Sequence, residues 1–362
     1  MEHRAEARID SAAIAANIST LKSKSGVELL AVVKADAYGH GLIETGLVAE
    51  KSGADWLGVA LLEEAIALRT HGVRIPILAW LLPPGSDYRA AHKHDIDVAV
   101  ASIAVFNEIS ALKSQVRVHI EVDTGMTRGG LLGEWPEFLT AAAGAEIDVV
   151  GFWSHFARAD EPDEIANQNQ QADFEKKLAQ LIEVGIKPEY IHLANSAATL
   201  TNPSSHKNII RLGIAMYGLS PDVKTLGSSQ DLDLEPAMTL KAEIQMVKRV
   251  PAGSPVGYGG TQITSSDTKL AIITMGYADG IPRNTSSTAG VFAAGRRAPI
   301  IGRVSMDQFV VDLGADSNAV SGEIVEVFGP LGYSIDDWAA ASGTINYEIV
   351  TRIAARVPRI YA

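Results

Sequence analysis

A lysine stands where a strongly apolar segment ends and a glycine-containing turn begins. Residues 29–33 are apolar, Lys34 follows at once, and Tyr38, Gly39 and Gly41 come next. An amine at a buried strand end lies in a low dielectric, which favours its neutral, nucleophilic form. The tyrosine and the glycines bring a phenol and close backbone to the same turn, an arrangement that suits a phosphate group. Together these residues indicate Schiff-base chemistry with a phosphate-bearing cofactor, whereas a lone lysine here would be a solvated strand cap.

Two later apolar segments also end in residues that suit an active site. Arg128 follows residues 116–122 across a turn that contains Gly125, so its guanidinium can reach a substrate. His155 follows residues 149–153, where a single histidine is more often structural than functional. Both side chains are candidates for contacts with a cofactor or a substrate.

The last two segments of this series supply hydroxyl and backbone N–H groups. Asn195 and Ser196 stand where a helix begins, which suits a phosphate, with simple helix capping as the alternative. Gly213 and Ile214 follow the final segment and match the phosphate position common in β/α barrels. Arg211 lies within that segment and either pairs with an interior carboxylate or faces a ligand such as a pyridine nitrogen.

All these residues lie at the carboxyl end of a predicted strand. Amphipathic segments such as 61–70, 103–112 and 168–184 separate the apolar ones. Strands that alternate with helices in this way predict a (β/α)8 barrel, whose active site lies at the carboxyl ends of the strands. An open doubly wound sheet is the alternative, and the lack of a G-x-G-x-x-G turn after the first strand disfavours it. The predicted strands are 29–33, 56–60, 75–80, 97–101, 116–122, 149–153, 190–194 and 209–212.

The pattern changes after about residue 220 to strands joined by turns. Predicted strands are 239–250, 269–275, 291–294, 298–304, 309–313 and 322–328, and a capping box at Ser334 precedes a helix at 338–341. We therefore predict an α/β protein with an N-terminal (β/α)8 TIM-like barrel over residues 1–230 and a C-terminal mostly-β domain over residues 231–362. Residues 1–10, of which residues 5–10 are strand-like, are a candidate partner of the β domain.

Composition limits the classes of function. The chain has 362 residues and a net charge of −12, which argues against nucleic acid or an anionic membrane surface as the main partner. It has no cysteine, which excludes disulfides, cysteine nucleophiles and thiolate metal sites, and we expect no metal. The first residues carry charges of both signs without an apolar signal segment, and no segment is long enough to span a membrane. We expect a cytoplasmic protein.

Three turns of the predicted β domain carry further candidates. Tyr258 lies among glycines, Tyr277 follows another glycine, and Met306 and Asp307 follow a predicted strand end. Each signal is weak alone, because tyrosines beside glycines are common in β turns.

In this order, and over essentially the whole chain, these motifs resemble those of the alanine racemases. The resemblance implies that Lys34 carries pyridoxal 5'-phosphate (PLP) and that Tyr258 is a second catalytic base. It implies a phosphate site built from Tyr38, Ser196, Gly213 and Ile214, with Asn195 beside Ser196 as a further candidate. It places His155 beside the pyridine ring and Arg211 on the ring nitrogen, and it implies substrate contacts from Arg128, Tyr277, Met306 and Asp307.

The same resemblance implies interconversion of L-alanine and D-alanine, with D-alanine supplied for peptidoglycan. Two bases on opposite faces of the substrate must then move the α-proton, and nearby cations such as Arg211 and His155 are expected to lower the pKa of Tyr258. The family is homodimeric, and the β domain of one subunit completes the barrel site of the other.

The sequence departs from the family at two positions. Many members carry a lysine modified by CO2 where Glu121 stands, and we expect the Glu121 carboxylate to supply that anion beside Arg128. Ala355 stands where a tyrosine is common, which predicts room for a substrate larger than alanine, such as serine.

Two other kinds of PLP protein share the barrel. Related decarboxylases use a carboxylate on the ring nitrogen and a cysteine from the β domain, whereas this chain has Arg211 and no cysteine. Non-enzymatic PLP-binding proteins resemble the barrel alone, whereas this chain continues through a β domain that contains Tyr258.

Overall fold

The computed structural model describes residues 3–112 and 116–362. The chain forms two compact units. The first consists of Ala13–Ala37 and Leu42–Glu235, and the second of the described part of Met1–Ala12 together with Tyr38–Gly41 and Pro236–Ala362. None of the helices in the described ranges has the length and apolar character that crossing a membrane requires.

The first unit is a nearly closed parallel barrel, as predicted. Its strands neighbour one another in the order β8-β7-β6-β5-β4-β3-β2-β9. The Arg211 N–H donates to the Ala194 carbonyl at 3.0 Å, which brings the two outer strands together. The strands are β2 (Glu28–Val32), β3 (Trp56–Val59), β4 (Ile77–Ala79), β5 (Asp97–Val100), β6 (Arg117–Glu121), β7 (Asp148–Trp153), β8 (Tyr190–His192) and β9 (Ile209–Leu212).

Helices alternate with these strands because the intervening segments are amphipathic. Leu62–Thr70 and Ile103–Ala111 begin and end close to their predicted bounds, and the helix predicted at 168–184 spans Ile165–Glu183. The helices are α1 (Ser11–Ser25), α2 (Leu42–Lys51), α3 (Leu62–Thr70), α4 (Tyr88–Lys93), α5 (Ile103–Ala111), α6 (Trp135–Ala142), α7 (Ile165–Glu183), α8 (Ser196–Thr201) and α9 (Val223–Leu226).

The turn that follows Lys34 has an uncommon backbone. Ala35, Asp36 and Ala37 have φ values of 55°, 54° and 52°, which is left-handed helical geometry. Each such L-residue costs roughly 1–2 kcal/mol, so other contacts must hold the turn. The Ala35 N–H donates to the Glu64 carboxylate at 2.7 Å, and the Asp36 carboxylate accepts from the Leu42 N–H at 2.8 Å. Two acidic side chains therefore hold the segment that positions Lys34.

Replacing Ala35 by glycine is expected to stabilise the protein by about 0.5–1 kcal/mol, because glycine adopts positive φ without strain and the exposed methyl packs little. Ala67 lies within the regular helix α3, and Ala67→Gly there is expected to destabilise by a similar amount. Urea unfolding of both variants measures the two free energies. Destabilisation by Ala35→Gly would contradict the strain assigned to this turn.

The second unit is mostly β, also as predicted. Its first strand, β1 (Ala5–Ile9), lies between β10 and β18, antiparallel to the former and parallel to the latter. The other strands are β10 (Met238–Val250), β11 (Pro255–Val256), β12 (Gln262–Ile263), β13 (Thr268–Ile273), β14 (Gly290–Ala293), β15 (Arg296–Pro299), β16 (Phe309–Asp312), β17 (Ile324–Phe328) and β18 (Arg359–Tyr361), and the helices are α10 (Ile335–Ser342) and α11 (Asn346–Thr351).

One predicted strand of this unit is wrong in its extent. Residues 298–304 were expected to be extended, but the strand is Arg296–Pro299 and only Ile300 continues as an isolated bridge to Val311. The chain turns at Gly302, whose φ is 79° and whose N–H donates to the Gln262 side chain at 2.6 Å. The positive φ of this glycine ends the strand geometry before residue 304.

Candidate active site

Lys34 follows β2 at the carboxyl end of the barrel strands. Its ammonium lies 6.0 Å from the centre of the Trp80 ring. Burial lowers the pKa of Lys34, nearby Arg128 lowers it further, and Glu64 opposes both. A lowered pKa increases the fraction of neutral amine, which is the form that bonds to a carbonyl carbon and accepts a proton.

Arg211 is the most heavily bonded cation of the barrel and is 5% exposed. Its Nη1 donates to the carbonyl oxygen of His192 at 2.9 Å and to His192 Nδ1 at 3.3 Å. Its Nη2 donates to the Ser154 carbonyl at 2.8 Å, and its guanidinium lies 5.1 Å from the centre of the Trp153 ring. Burial lowers the pKa of Arg211 to about 9, and Glu121 opposes the shift.

One donor of this guanidinium is left over. Within the described ranges, the Arg211 Nε–H has no hydrogen-bond partner. This N–H can therefore donate to a ligand that brings an acceptor such as a pyridine nitrogen.

His155 is a neutral neighbour of Arg211. Its Nδ1 accepts from Arg211 Nη2 at 3.1 Å. Burial lowers the pKa of His155 to about 3, and the charges of Arg211, Arg128 and Lys34 contribute to the shift. The expectation that His155 acts as a cation is therefore wrong, because four nearby positive charges in a buried space would be too costly.

The segment after β6 is shaped by Asp123. One Asp123 oxygen accepts from three consecutive backbone N–H groups, those of residues 125, 126 and 127, at 2.8–3.1 Å. These hydrogen bonds account for the buried position of the Asp123 carboxylate without an interior ion pair. They also fix the turn that leads to Arg128. Gln170 on α7 then joins this turn to the next one, because its amide donates to Thr124 Oγ1 at 3.2 Å and to the His155 carbonyl at 3.1 Å.

Gln170 was not among the residues predicted from the sequence. Gln170 lies inside a long amphipathic helix, where a polar residue is predicted to face the solvent. It is nevertheless buried. The only sequence signal is its place on the helix face that carries Phe174 and Leu178 four and eight residues later.

Glu121 does not form the ion pair that we expected. Among residues 3–112 and 116–362, neither Glu121 nor Arg128 has an ion-pair partner, although both Arg211 and Arg128 act on the Glu121 carboxyl through space. A Cβ at Gly129 would lie 3.3 Å from Glu121 Oε1, so the carboxyl packs against the backbone of the Arg128 turn. Burial raises the pKa of Glu121 to about 7, and the two arginines only partly offset it.

This shift predicts a pH-dependent effect of Glu121→Gln. A folded-state pKa of about 7, above the ordinary glutamate value of 4.5, means that folding favours the protonated carboxyl. That contribution is complete below the unfolded-state pKa and is lost as the pH rises through the folded-state value. The Gln variant is therefore expected to be more stable than the parent at pH 8 by about 1–3 kcal/mol, and the difference should shrink towards pH 4. Denaturant unfolding across this range measures it, and a constant difference would contradict the shift.

Ser196 and the segment after β9 meet at the same end of the barrel. Ser196 Oγ accepts from the Gly213 N–H at 2.9 Å and from the Ala215 N–H at 3.3 Å, which leaves its own hydrogen as a donor. Ile214 begins a short 3-10 turn directly after Gly213. Asn195 caps α8, because its side-chain oxygen accepts from the Ala198 N–H at 3.0 Å. Capping is thus the observed role of the Asn195 oxygen.

The second unit carries the remaining predicted residues. Tyr38 is buried there, and its ring centre lies 6.2 Å from that of Tyr347. Burial raises the pKa of Tyr38. Its neighbour Gly39 packs so closely on Val350 that a Cβ would lie 2.1 Å from the Val350 carbonyl oxygen. Tyr258, by contrast, is 69% exposed.

Tyr277, Met306 and Asp307 lie together. The Tyr277 N–H donates to the Ser305 carbonyl at 3.0 Å, and the Ala278 N–H donates to the Met306 carbonyl at 2.9 Å. Arg356 Nη2 donates to Asp307 at 2.5 Å while its Nε donates to the fully buried Asp279 at 2.6 Å. Arg356 is a second residue that sequence reasoning missed, and it connects the Asp307 turn to a buried anion.

The first unit is a β/α barrel with a buried amine and an incompletely paired arginine at the carboxyl ends of its strands. The second is a β unit with exposed polar turns. Together these features define a two-unit barrel enzyme. The comparisons identify which one. Residues 9–221 match the family model of the alanine racemase N-terminal domain, and residues 237–361 match that of the C-terminal domain. The chain belongs to the alanine racemase family and is an amino-acid racemase, an isomerase.

Individual relatives agree over their full length. An alanine racemase of Salinispora arenicola is 47% identical, over 99% of this chain and 98% of the relative. The crystal structure of alanine racemase from D-cycloserine-producing Streptomyces lavendulae has a TM-score of 0.96 at 43% identity and covers 99% of this chain and 97% of its own. The Bacillus anthracis enzyme with bound L-Ala-P has a TM-score of 0.91 at 36% identity, over 99% of this chain and 95% of its own.

Proposed function

We propose that this protein is a PLP-dependent racemase that interconverts L-alanine and D-alanine and supplies D-alanine for peptidoglycan. The observation that carries the proposal is the unpaired Nε–H of buried Arg211, at the same end of the barrel as Lys34. A pyridine nitrogen satisfies that donor. The comparisons support alanine as the substrate through relatives that bear the name alanine racemase.

The residues present fit PLP. The neutral amine of Lys34 can bond to its aldehyde carbon, and Arg211 Nε can donate to its ring nitrogen. The Ser196 hydroxyl and the backbone of Gly213 and Ile214 suit its phosphate. Bound PLP withdraws electrons from the α-carbon of an amino acid and so makes its α-hydrogen acidic. A guanidinium at the ring nitrogen donates a hydrogen bond and keeps its proton, which limits this electron withdrawal and favours return of the α-proton.

Two bases then move the α-proton on opposite faces of the substrate. With PLP bound, the Lys34 amine would lie beside the α-carbon and would hold or release a proton on one face. Tyr258 does the same on the other face. Arg128, Tyr277, Met306 and Asp307 orient the substrate, with Asp307 held by Arg356. Since one base alone would return the proton to its original face, inversion needs both.

We propose a cytoplasmic homodimer in which the β domain of one subunit completes the barrel site of the other. Tyr258 and Met306 are 69% and 54% exposed, and the side chain of Asp307 is 61% exposed, which supports this arrangement. Residues that a substrate must touch would lie buried in their working state, and a second subunit provides that cover.

The function is tested by incubating the purified protein with L-alanine and PLP and separating the products on a chiral column. Racemic alanine is the expected result. Formation of an amine with CO2 would identify a decarboxylase instead, and unchanged L-alanine would leave a PLP-binding protein without activity on this substrate.

A further inference from the structure

A line of buried polar side chains crosses the barrel interior and ends at Arg211. His192 Nδ1 lies 3.3 Å from Arg211 Nη1, and His192 Nε2 lies 3.0 Å from His119 Nδ1. His119 Nε2 lies 3.3 Å from Asp97 Oδ2. The other Asp97 oxygen accepts from Arg117 Nε at 2.8 Å and from Arg117 Nη2 at 2.5 Å. The side chains of Asp97, His119 and His192 are almost completely buried.

A glycine makes this contact possible. His119 lies on β6 and His192 on β8, and β7 runs between these two strands. On β7, a Cβ at Gly151 would lie 1.9 Å from His119 Nδ1. Any other residue at this position would occupy the space of the His119 imidazole. Trp153, also on β7, stacks on His192 with a centroid distance of 5.6 Å and an angle of 5°. The strand between the two histidines is thus shaped to let their rings meet.

The two ends of the line determine where each proton lies. Arg211 can only donate, so His192 Nδ1 must be an acceptor and its proton must lie on Nε2. His192 Nε2 then donates to His119 Nδ1, which places the proton of His119 on Nε2, facing the acceptor Asp97. Burial lowers the pKa of His192 well below its ordinary value, and the charge of Arg211 contributes, so this imidazole stays neutral. Each hydrogen bond consequently points from Arg211 towards Asp97.

We propose that Asp97, His119 and His192 form a positioning chain that fixes the orientation of Arg211 and the direction of its hydrogen bond to His192. The inference rests on the proposed function, in which the Nε–H of Arg211 meets the ring nitrogen of PLP. In the residues that the structure describes, Arg211 has no carboxylate partner of its own. The chain presents a neutral imidazole acceptor to Arg211 through two oriented hydrogen bonds, and it places no carboxylate where it would compete for the Nε–H.

The native holoenzyme provides a first test without any substitution. Imidazole nitrogen chemical shifts of histidine-labelled protein show which nitrogen of each ring carries the proton. Both protons are expected on Nε2. A proton on Nδ1 of His192 would overturn the chain, because two donors would then face each other at Arg211.

Asp97→Asn tests the consequence for the cofactor. Arg117 holds the oxygen of the new amide, so the NH2 group faces His119 Nε2 and favours the reversed tautomers. The Nδ1–H of His192 would then oppose the N–H of Arg211. We expect the affinity for PLP to fall about tenfold or more, as for the loss of one charge-assisted hydrogen bond, together with a shift of the His119 proton to Nδ1.

A second substitution should rescue the first. In Asp97→Asn combined with Arg117→Met, nothing holds the amide oxygen, so the amide can rotate and present oxygen to His119. PLP affinity and the original tautomers are expected to return. Asp55→Asn is the matched control, since Asp55 is a barrel carboxylate that pairs with Lys22 and has no link to Arg211. It should leave PLP affinity unchanged.

Wild-type PLP affinity in Asp97→Asn would overturn the proposal, and so would an equal loss in the Asp55→Asn control or the absence of rescue. If Asp97→Asn does not fold, the tautomers of the native protein still decide. The tautomers also distinguish failure of this proposal from failure of the proposed function. A native protein whose Lys34 does not carry PLP would fail the cofactor assays, but the tautomers of its histidines could still be measured.

Discussion

Lys34→Ala is expected to abolish racemisation in both directions, with a loss of at least about 10⁴-fold in turnover. The substitution removes the amine that bonds to the cofactor and also one of the two bases, and a positioned base alone contributes about 10²–10⁴-fold. Initial rates from L-alanine and from D-alanine measure the loss. The visible absorbance of the bound cofactor should disappear in the same variant, because Lys34 is the residue proposed to form the covalent link.

Lys22→Ala is the control for this experiment. Lys22 is a half-exposed lysine of the same unit that pairs with Asp55, and its loss removes an equal charge without touching the site. Borohydride reduction followed by peptide mapping should place the cofactor on the peptide that contains Lys34 in the parent and in the control. A cofactor trapped on another lysine, or an unchanged spectrum in Lys34→Ala, would contradict the assignment.

Tyr258→Phe is expected to lower racemisation by about 10²–10⁴-fold while PLP stays bound, because only the base on one face is lost. The effect should be unequal for the two enantiomers. The family resemblance assigns tyrosine to the face from which L-alanine loses its proton and lysine to the face used by D-alanine. Hydrogen exchange from solvent deuterium oxide into each enantiomer, measured by mass spectrometry, should therefore persist for D-alanine and fall for L-alanine.

Tyr361→Phe, at a tyrosine of the β unit outside the predicted site, is the matched control. Its hydroxyl donates to the His40 carbonyl at 3.0 Å, and because Tyr361 is not among the residues proposed to contact the substrate, the change should leave the exchange pattern as in the parent. Equal exchange into both enantiomers in Tyr258→Phe would show that the two faces are not divided between these bases.

The barrel could be predicted from the sequence because its strands are short apolar segments at regular spacing, each followed by an amphipathic helix. The same regularity placed Lys34, His155 and Arg211 at the carboxyl ends of strands. The left-handed turn after Lys34 could not be predicted in this way. Its residues are two alanines, an aspartate and a tyrosine, none of which signals positive φ, and the turn depends on the carboxylate of Glu64, 29 residues away from Ala35.

The electrostatics of the site depended even more on tertiary structure. The sequence suggested an anionic Glu121 beside Arg128 and a cationic His155. Burial reversed the second expectation and weakened the first, because the charge that a group carries depends on how much water and how many like charges surround it. Gln170 and Arg356 were missed for a related reason. Their hydrogen-bond partners come from distant segments, so no local sequence pattern predicts these contacts.

The placement of β1 has a consequence for how the protein is made. Ala7 pairs with Leu240 on one side and with Arg359 on the other. The ribosome synthesises β1 before all strands of the barrel, yet β18, its second neighbour, emerges roughly 20–70 s later at about 5–20 residues per second. Until β10 emerges β1 has neither neighbour, and until β18 emerges one of its edges stays unpaired; Glu6 and Arg8 place charges along it, which discourages pairing with other nascent chains. All strands of the barrel lie between these two events in the chain. The β sheet is therefore completed after the barrel, and a chain that stalls just before β18 would carry every barrel strand without a finished β unit.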